Sequence, residues 1–366
     1  MDISRLDWHA LDRLRDGFIG GAAARGPYWR TPADLAGYDA TYGERIGWKW
    51  DHVLAELRLR RWTPRARTLV DWGCGSGIAG RRVIGALGIG HFDTLTVWDH
   101  SPLAREFAAG AARRAFPTLN VAAAAAPEKS IAAPFTLVVS HVINELSPPA
   151  RDSLLALARR AAAILWVEPG THADSRALVA VREALRAGFR VIAPCPHQAA
   201  CGLLAPGAGR HWCHFFAPPP AGIYADSGWV KFGRRAGIDL RSLPYSFLVL
   251  EKNTAAAGDG GGTGDASEPP PPAASSSPAG LVPPPALLPL APGSSRIIGR
   301  PRLHKAHATL CNCDESGVAE LTLPRRADPG FFKTLGREPP HPPLHRWQRE
   351  GDRITAVGQP FPSSPE

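Results

Sequence analysis

Residues 67–80 read R-T-L-V-D-W-G-C-G-S-G-I-A-G, and this stretch decides the fold. The apolar run Thr68 to Val70, closed by Asp71, predicts a buried strand. Gly73, Gly75 and Gly77 then predict a sharp turn into a helix, because glycine tolerates backbone angles that other residues avoid. α/β proteins hold nucleotide-like ligands at such strand–turn–helix junctions. Glycine-rich strand–helix turns also occur as plain loops, so a plain loop is the alternative to a ligand site here.

The composition indicates a protein with an anionic partner and no membrane span. The 366 residues include 42 Lys and Arg against 33 Asp and Glu, a formal net charge of +9. This balance favours RNA as a partner. No run of about 18 apolar residues and no signal or transit peptide is visible, so we expect a cytoplasmic protein without membrane contacts. In such a protein, six cysteines indicate metal or redox chemistry rather than a disulfide scaffold.

Alternating apolar and helical segments follow the glycine turn and predict an α/β fold with an open, mostly parallel sheet. The helical patterns cover Pro102–Ala115, Ala150–Ala162 and Arg176–Ala187. Seven predicted strands cover Thr68–Val70, Thr94–Trp98, Leu119–Ala123, Phe135–Val142, Ala163–Val167, Arg190–Ala193 and Ser246–Leu250.

Polar residues at the ends of these strands predict a ligand pocket, since strand carboxyl ends face the crevice of an open α/β sheet. Asp99 ends the second strand, 22 residues after Gly77, where an acid can accept hydrogen bonds from a ribose. Ser101 can cap the following helix, which leaves Asp99 for a ligand. We expect His141, Asn144, Glu145 and Glu168 at the same edge of the sheet, although His141 also suits packing between elements and the acids also suit helix caps. Cys74, inside the turn, is expected to line the pocket.

A cysteine-rich insertion interrupts the pattern between the sixth and seventh strands. Cys195, Cys201 and Cys213 lie in it, and Cys311 or Cys313 offers a fourth thiol further along the chain. Four thiolates suit an iron–sulfur cluster or a structural zinc ion, and His197, His211 and His214 are alternative zinc ligands. Buried reduced cysteines are the remaining alternative.

Seven strands, the D-x-G-x-G-x-G turn and Asp99 together resemble the class I S-adenosylmethionine-dependent methyltransferases. More specific motifs resemble the mitochondrial small-ribosomal-subunit methyltransferase-like proteins and their bacterial relatives over about residues 35–326. These are S-H-V-I-N-E-L (140–146), V-E-P-G-T (167–171), A-P-C-P-H (193–197), W-C-H-F (212–215), R-P-R (300–302) and L-C (310–311).

The resemblance implies a fold, two cofactors and a partner. It implies a Rossmann-like methyltransferase sheet of seven strands, with S-adenosylmethionine bound by Asp71, Gly73, Gly75, Gly77 and Asp99. It also implies a four-iron–four-sulfur cluster on Cys195, Cys201, Cys213 and Cys311, and binding to the assembling small ribosomal subunit. We expect a bacterial, monomeric protein. The basic residues that fit ribosomal RNA are Lys231, Arg234, Arg235, Arg296, Arg300, Arg302, Lys305, Arg325 and Arg326.

The sequence therefore predicts five segments. They are a helical N-terminal subdomain (1–64), a methyltransferase-like domain (65–252) with a cysteine-rich metal-binding insertion (194–232), a flexible linker (253–295), a basic β-hairpin extension (296–327) and a Pro-rich, extended or disordered tail (328–366). The leading function is methyl transfer to small-subunit ribosomal RNA. The alternatives are a non-catalytic ribosome-assembly factor that binds S-adenosylmethionine and RNA, and a small-molecule methyltransferase with a structural zinc.

Overall fold

The computed structural model describes residues 3–19, 28–126, 131–132, 134–241, 243–253, 287–337 and 341–361. Most of the predicted flexible linker, at 254–286, lies outside the described residues. The described chain forms three parts: an N-terminal helical layer, an α/β sheet and a C-terminal β-barrel.

The helical layer packs on the sheet through large apolar side chains. Three helices form it: α1 (Trp8–Ile19), α2 (Pro32–Tyr38) and α3 (Glu44–Leu59). Thr31 caps α2 through a reciprocal pair of bonds with Asp34, which satisfies amide groups at the helix start. Trp50, Leu54 and Leu57 of α3 are fully buried in the core shared with the sheet.

The central sheet has the order β3-β2-β1-β4-β5-β8-β6, with a short β7 paired to β8. All pairs are parallel except those that β8 makes, which are antiparallel. This mixed sheet is the Rossmann-like methyltransferase fold that the sequence predicted, with one additional strand from the insertion. Its strands are β1 (Thr68–Trp72), β2 (Thr94–Trp98), β3 (Asn120–Ala123), β4 (Thr136–Ser140), β5 (Ala163–Pro169), β6 (Phe189–Ala193), β7 (Phe215–Ala217) and β8 (Leu243–Lys252).

Five helices follow the strands and cover the two faces of the sheet, which explains why its central strands are mainly apolar. Two apolar cores result, one on each face. The helices are α4 (Ile78–Leu87), α5 (Pro102–Ala115), α6 (Pro148–Arg160), α7 (His172–Leu185) and α8 (Ser227–Ala236).

The C-terminal part is a closed five-stranded barrel with the order β10-β11-β13-β12-β9. β11 and β13 pair in parallel, and helix α9 (Pro329–Arg337) lies between β11 and β12 in the chain. This Greek-key arrangement is that of an OB-type barrel. Its strands are β9 (Ser294–Leu303), β10 (His307–Asp314), β11 (Gly317–Pro324), β12 (Leu344–Glu350) and β13 (Arg353–Gly358).

The barrel corrects two predictions. The predicted β-hairpin is only its central pair, β10 and β11, and the tail predicted to be extended or disordered supplies α9, β12 and β13. The tail was predicted to be extended because it contains few apolar residues, but only a few are needed to complete the barrel. Leu344 and Ile354 are buried, and Leu335 of α9 completes the apolar core of the barrel.

Candidate functional site: a cofactor cavity and a cysteine cluster

The glycine turn joins β1 to α4 and opens onto a cavity of about 650 Å³ at the carboxyl ends of β1, β2 and β4. Gly73 and Gly75 line the cavity and have φ angles of +67° and +50°. A Cβ atom at Gly73 would lie 2.7 Å from a methyl group of Val142, whereas one at Gly75 would meet nothing within 4 Å. The main chain at Gly75 is therefore open to a ligand.

Two predicted cofactor residues, Asp71 and Gly77, do not line the cavity. The Asp71 carboxylate is buried under α4 and accepts a hydrogen bond from the Gly80 amide at 3.0 Å. Burial raises the pKa of Asp71 to about 7. Gly77 lies against α5, where a Cβ atom would approach Ala108 Cβ to 2.8 Å. Both residues therefore support the turn from the side away from the cavity. The Asp71 carboxylate links β1 to α4, and Gly77 allows α5 to pack closely.

Asp99 lines the cavity and fixes the turn from β2. Its Oδ2 accepts from the Gly75 amide at 3.0 Å, and its Oδ1 accepts from the Ser101 amide at 2.9 Å. Ser101 caps α5 as predicted, with its hydroxyl accepting from the Ala104 amide. A carboxylate has about four acceptor positions, so these two bonds leave capacity for ligand hydroxyls. Burial is the largest influence on the pKa of Asp99 and raises it.

The predicted residues after β4 also reach the cavity: His141, Asn144 and Glu145 all line it. Burial, reinforced by the nearby Asp99, raises the pKa of Glu145 to about 7. A carboxyl group with this pKa donates or accepts a hydrogen bond near neutral pH. Cys74 lies in the same lining, and burial holds its thiol pKa well above the usual range, so the thiol is neutral.

Glu168, the other predicted pocket acid, is fully buried behind the cavity wall. Its Oε1 accepts hydrogen bonds from the Val142 and Ile143 amides, both at 3.2 Å, and from the Trp166 indole at 2.6 Å. Burial raises the pKa of Glu168 to about 8. Its role is therefore to hold the loop after β4 in place.

Lys49 was not predicted from the sequence, yet it faces the same cavity from α3. Its Nζ lies 2.9 Å from His141 Nε2, and His141 Nδ1 lies 3.2 Å from the Ser140 hydroxyl. The Trp50 indole donates to that hydroxyl at 3.0 Å. Burial lowers the pKa of Lys49 to about 7 and holds the pKa of His141 well below its usual range. The chain Trp50–Ser140–His141 thus fixes an amine that is partly neutral at pH 7.

Aromatic side chains from the N-terminal layer form the outer wall of the cavity. Tyr28 and Trp29 contact one another with ring centres 4.7 Å apart, and Trp29 lies 5.1 Å from Tyr38. This wall could not be predicted from the sequence, since these aromatic residues lie far from the glycine turn in the chain and show no strand or helix periodicity that places them there.

Four cysteines line a second, small cavity of about 30 Å³ between β8, the insertion and the barrel: Cys195, Cys201, Cys213 and Cys313. Burial raises the pKa of Cys213 and Cys313 well above the usual range, and the neighbouring thiols raise it further. Among the residues that the structure describes, no group of three or more His, Cys, Asp or Glu side chains is arranged to hold a metal ion.

Arg182 brings a buried positive charge to these sulfur atoms. Its side chain is 3% exposed, and its Nε donates to Cys195 Sγ at 3.2 Å. The same guanidinium also pairs with the Glu183 carboxylate. By donor type, four sulfurs suit either zinc or an iron–sulfur cluster.

Cys311, the predicted fourth ligand, lies away from the small cavity, and Cys313 takes that place. The two cysteines share one face of β10, but two residues along a strand span about 6.6 Å. Cys311 Sγ instead lies 3.6 Å from His211 Nδ1, and burial raises its pKa to about 11. Of the histidines proposed as zinc ligands, His197 contacts Cys313 at 3.7 Å, while His211 and His214 lie with Cys311 in a separate groove.

The sequence of this chain matches the family model described as Mitochondrial small ribosomal subunit Rsm22, over residues 52–334. The match covers most of the chain and includes the β1, β2 and β4 side of the cavity, the insertion and the first three strands of the barrel, whereas Lys49 and the aromatic wall lie before it. The chain belongs to the Rsm22 family. No curated protein sequence matches it. The family description names the mitochondrion, and a bacterial, cytoplasmic location stays a prediction.

Several solved methyltransferase structures are distantly similar to this Rsm22-family chain. An rRNA methylase from Escherichia coli is 10% identical, with 67% of this chain and 76% of the other covered and a TM-score of 0.36. The N-methyltransferase NodS from Bradyrhizobium japonicum, in complex with S-adenosyl-L-homocysteine, is 14% identical, with 59% and 91% covered and a TM-score of 0.34. Magnesium protoporphyrin IX methyltransferase from Synechocystis, with bound SAM, is 13% identical, with 68% and 98% covered and a TM-score of 0.35. The fold assignment rests on the strand order of the sheet. No described helix is long and apolar enough to cross a membrane.

Proposed function

We propose that this chain is an S-adenosylmethionine-dependent methyltransferase that acts on small-subunit ribosomal RNA during assembly of the subunit. The observation that carries the proposal is the cavity at the carboxyl ends of β1, β2 and β4, which gathers Gly75, Asp99 and Glu145 around an open glycine turn. The description of the family, which names the small ribosomal subunit, supports ribosomal RNA as the substrate.

The residues of the cavity suit an adenosyl ligand. Asp99 would accept hydrogen bonds from the ribose hydroxyls, and the open main chain at Gly75 would approach the ligand closely. S-adenosylmethionine supplies an electrophilic methyl group when it is bound. The protein contributes position, since holding two reactants in line accounts for much of the acceleration of such displacements.

Lys49 is the group best placed to receive a proton from a nitrogen acceptor. Its amine lines the cavity, and its lowered pKa of about 7 makes the neutral form available. His141 acts as a positioning residue, since its ring nitrogen lies 2.9 Å from that amine. Lys49→Met should therefore suppress methyl transfer and leave S-adenosylmethionine binding in place. The matched control is Lys333→Met, an exposed lysine on α9.

We also propose a four-iron–four-sulfur cluster on Cys195, Cys201, Cys213 and Cys313. Support comes from the shared cavity of these four thiols and from the Arg182 guanidinium at Cys195. A single zinc ion needs its four sulfurs about 2.3 Å from one point. Zinc on the same four sulfurs is therefore the alternative, and metal analysis separates the two. The cluster would fasten the barrel to the sheet, because Cys313 belongs to β10 and the other three thiols to the insertion.

The test of the function is a comparison of small-subunit ribosomal RNA from cells with and without the gene. Loss of one methyl group in the deletion strain, restored by the wild-type gene and not by the Lys49→Met gene, is the expected result. Identical methylation in all strains would overturn the catalytic proposal.

The competing candidate is a non-catalytic assembly factor, and one observation favours it: the family is described as a ribosomal subunit component and not as an enzyme. It predicts crosslinks between the protein and small-subunit RNA in cells whose RNA methylation does not depend on the gene. Crosslinking in the same strains therefore separates the two candidates.

A further inference from the structure

The separate groove that holds His211, His214 and Cys311 has a volume of about 340 Å³ and runs along the seam between the cysteine-rich insertion and the barrel. We call it the seam groove and define it by Arg210, Trp212, His214, Arg300, Arg302 and Glu320. It shares no lining residue with the cofactor cavity. Nothing in the proposed methyl transfer uses it.

The barrel side of the groove is formed by its first three strands, and Ile298, Gly299, Arg300 and Arg302 of β9 line it. Thr309 and Cys311 of β10 and Glu320 of β11 line it, while Ala308, Leu310 and Leu321 point the other way into the barrel core. In OB-type barrels, the face of the second and third strands binds oligonucleotides and oligosaccharides, and this groove includes part of that face. The position of the groove on the barrel is thus one indication of its ligand.

The charge of the groove is a second and independent indication, and it favours an anion. Three arginines line it against one acid, and the side chains of Arg210 and Arg302 are 70% and 62% exposed. Glu320 pairs with both, at 3.4 Å to Arg210 and 2.7 Å to Arg302. One carboxylate cannot neutralise both of these guanidinium groups, so the groove keeps an excess of positive charge suited to phosphates.

Flat rings beside this charge form the third indication. Trp212 and His214 stack with ring centres 4.4 Å apart and an angle of 12° between the rings. The Arg300 guanidinium lies 4.2 Å from the centre of the Phe216 ring. Rings interleaved with arginines are the arrangement by which proteins stack the bases of single-stranded nucleic acid and hold its backbone.

The seam is rigid enough to hold such a ligand. The Gly299 amide donates to the His214 carbonyl at 2.8 Å, with Gly299 at a φ of +71°. A Cβ atom at Gly299 would lie 2.9 Å from the His214 ring, so only glycine lets β9 approach it this closely. The Trp212 indole donates to the Gly170 carbonyl at 3.0 Å, which fixes the ring relative to the sheet.

We propose that the seam groove binds single-stranded RNA, with arginines on its phosphates and at least one base stacked at Trp212 and His214. A duplex fits less well, because its bases are already stacked and hidden from the rings. The inference shares an RNA partner with the proposed function, but it depends on neither the cofactor nor methyl transfer.

The test measures binding of the full-length protein to a fluorescein-labelled oligouridine of about twelve nucleotides, by anisotropy and without S-adenosylmethionine. Two substitutions should act in opposite directions. Arg302→Ala removes a phosphate contact and should weaken binding roughly fivefold and flatten the salt dependence, with a slope smaller by about 0.7. Glu320→Gln removes the competing carboxylate from Arg210 and Arg302 and should tighten binding roughly threefold.

The control variant is Arg114→Ala, an exposed arginine at the end of α5 near the opposite edge of the sheet. It removes the same charge and should leave affinity within about twofold of wild type. Equal affinities for Arg302→Ala and Arg114→Ala, or no gain with Glu320→Gln, would overturn the assignment. So would equal affinity for a duplex of the same length, or displacement of the oligouridine by an equal phosphate concentration of uridine monophosphate or inorganic phosphate. The binding test and the methylation comparison can fail independently, because oligouridine binding is measured without S-adenosylmethionine.

Discussion

Glu56 of α3 and Arg296 of β9 form a bidentate ion pair in which each side chain is only 1% exposed. The pair joins the helical layer to the barrel across 240 residues of chain. Phe215 of the insertion adds a ring contact, 5.4 Å from the Arg296 guanidinium. Arg296 was predicted to bind RNA, and that prediction is wrong. A buried arginine that is paired with a carboxylate is not available to phosphates.

Glu56→Gln should destabilise the protein strongly, because it leaves the Arg296 charge buried without a partner. We expect the free energy of unfolding to fall by about 3–5 kcal/mol. Urea unfolding followed by circular dichroism measures it. The double substitution Glu56→Met with Arg296→Met should recover most of the loss, since no unpaired charge remains.

The control for this measurement is Asp93→Asn. It breaks the Arg67–Asp93 pair, whose side chains are 56% and 62% exposed, and should cost far less stability than Glu56→Gln because water screens exposed charges. Equal losses for Glu56→Gln and Asp93→Asn would show that the buried pair does not join the two parts of the molecule.

Cys313→Ser and Cys311→Ser should differ in bound metal. Cys313 lines the small cavity with three other thiols, whereas Cys311 lies beside His211 in the seam groove. Anaerobically purified Cys311→Ser protein should therefore keep the iron, sulfide and brown colour of the wild type, and Cys313→Ser should lose much of each. Metal analysis and visible absorbance check this result. Loss in Cys311→Ser alone would contradict the placement, and a colourless wild type with stoichiometric zinc would contradict the cluster.

Much of the sheet could be predicted from the sequence, because parallel strands covered on both faces are continuous apolar runs. The segment predicted as Thr94–Trp98 coincides with β2, and Pro102–Ala115 coincides with α5. Asp99, Asn144 and Glu145 reach the cavity as predicted, since strand ends at one edge of a sheet must converge.

The rest depends on contacts that local pattern does not encode. Lys49 is an ordinary helix residue until α3 packs over the end of β4. Cys311 and Cys313 point to the same side of β10, so only the docking of the barrel decides which one joins the other thiols. In β12 and β13, which close the barrel, few apolar side chains point into the core and most of the others are polar. Their sequence therefore resembles that of an exposed tail.

Glu168→Gln should change how stability depends on pH. Burial raises the pKa of Glu168 to about 8, above its unfolded value near 4.3, so the folded protein binds the proton more tightly. The stabilisation from this proton is complete below about pH 4 and is lost as the pH rises toward 8. Glutamine mimics the protonated acid, so the variant should gain stability relative to wild type over that range, by roughly 3–5 kcal/mol at its upper end.

Urea midpoints between about pH 5 and pH 9 measure this difference. Glu106→Gln, an exposed carboxyl on α5, is the matched control and should track wild type throughout. A constant difference between Glu168→Gln and wild type across the range would mean that Glu168 is not protonated in the folded protein near neutral pH.

The cofactor cavity makes the most direct prediction, through the two bonds that Asp99 accepts from Gly75 and Ser101. Asparagine has one acceptor oxygen in place of two and no charge, so Asp99→Asn cannot serve both main-chain amides and a ribose. The decisive measurement is titration calorimetry of S-adenosylmethionine binding to wild type, Asp99→Asn and the exposed control Asp93→Asn. We predict saturable binding to wild type and Asp93→Asn, and affinity lower by at least about tenfold in Asp99→Asn. Absence of binding to the wild type, or equal affinity in Asp99→Asn, would contradict the account.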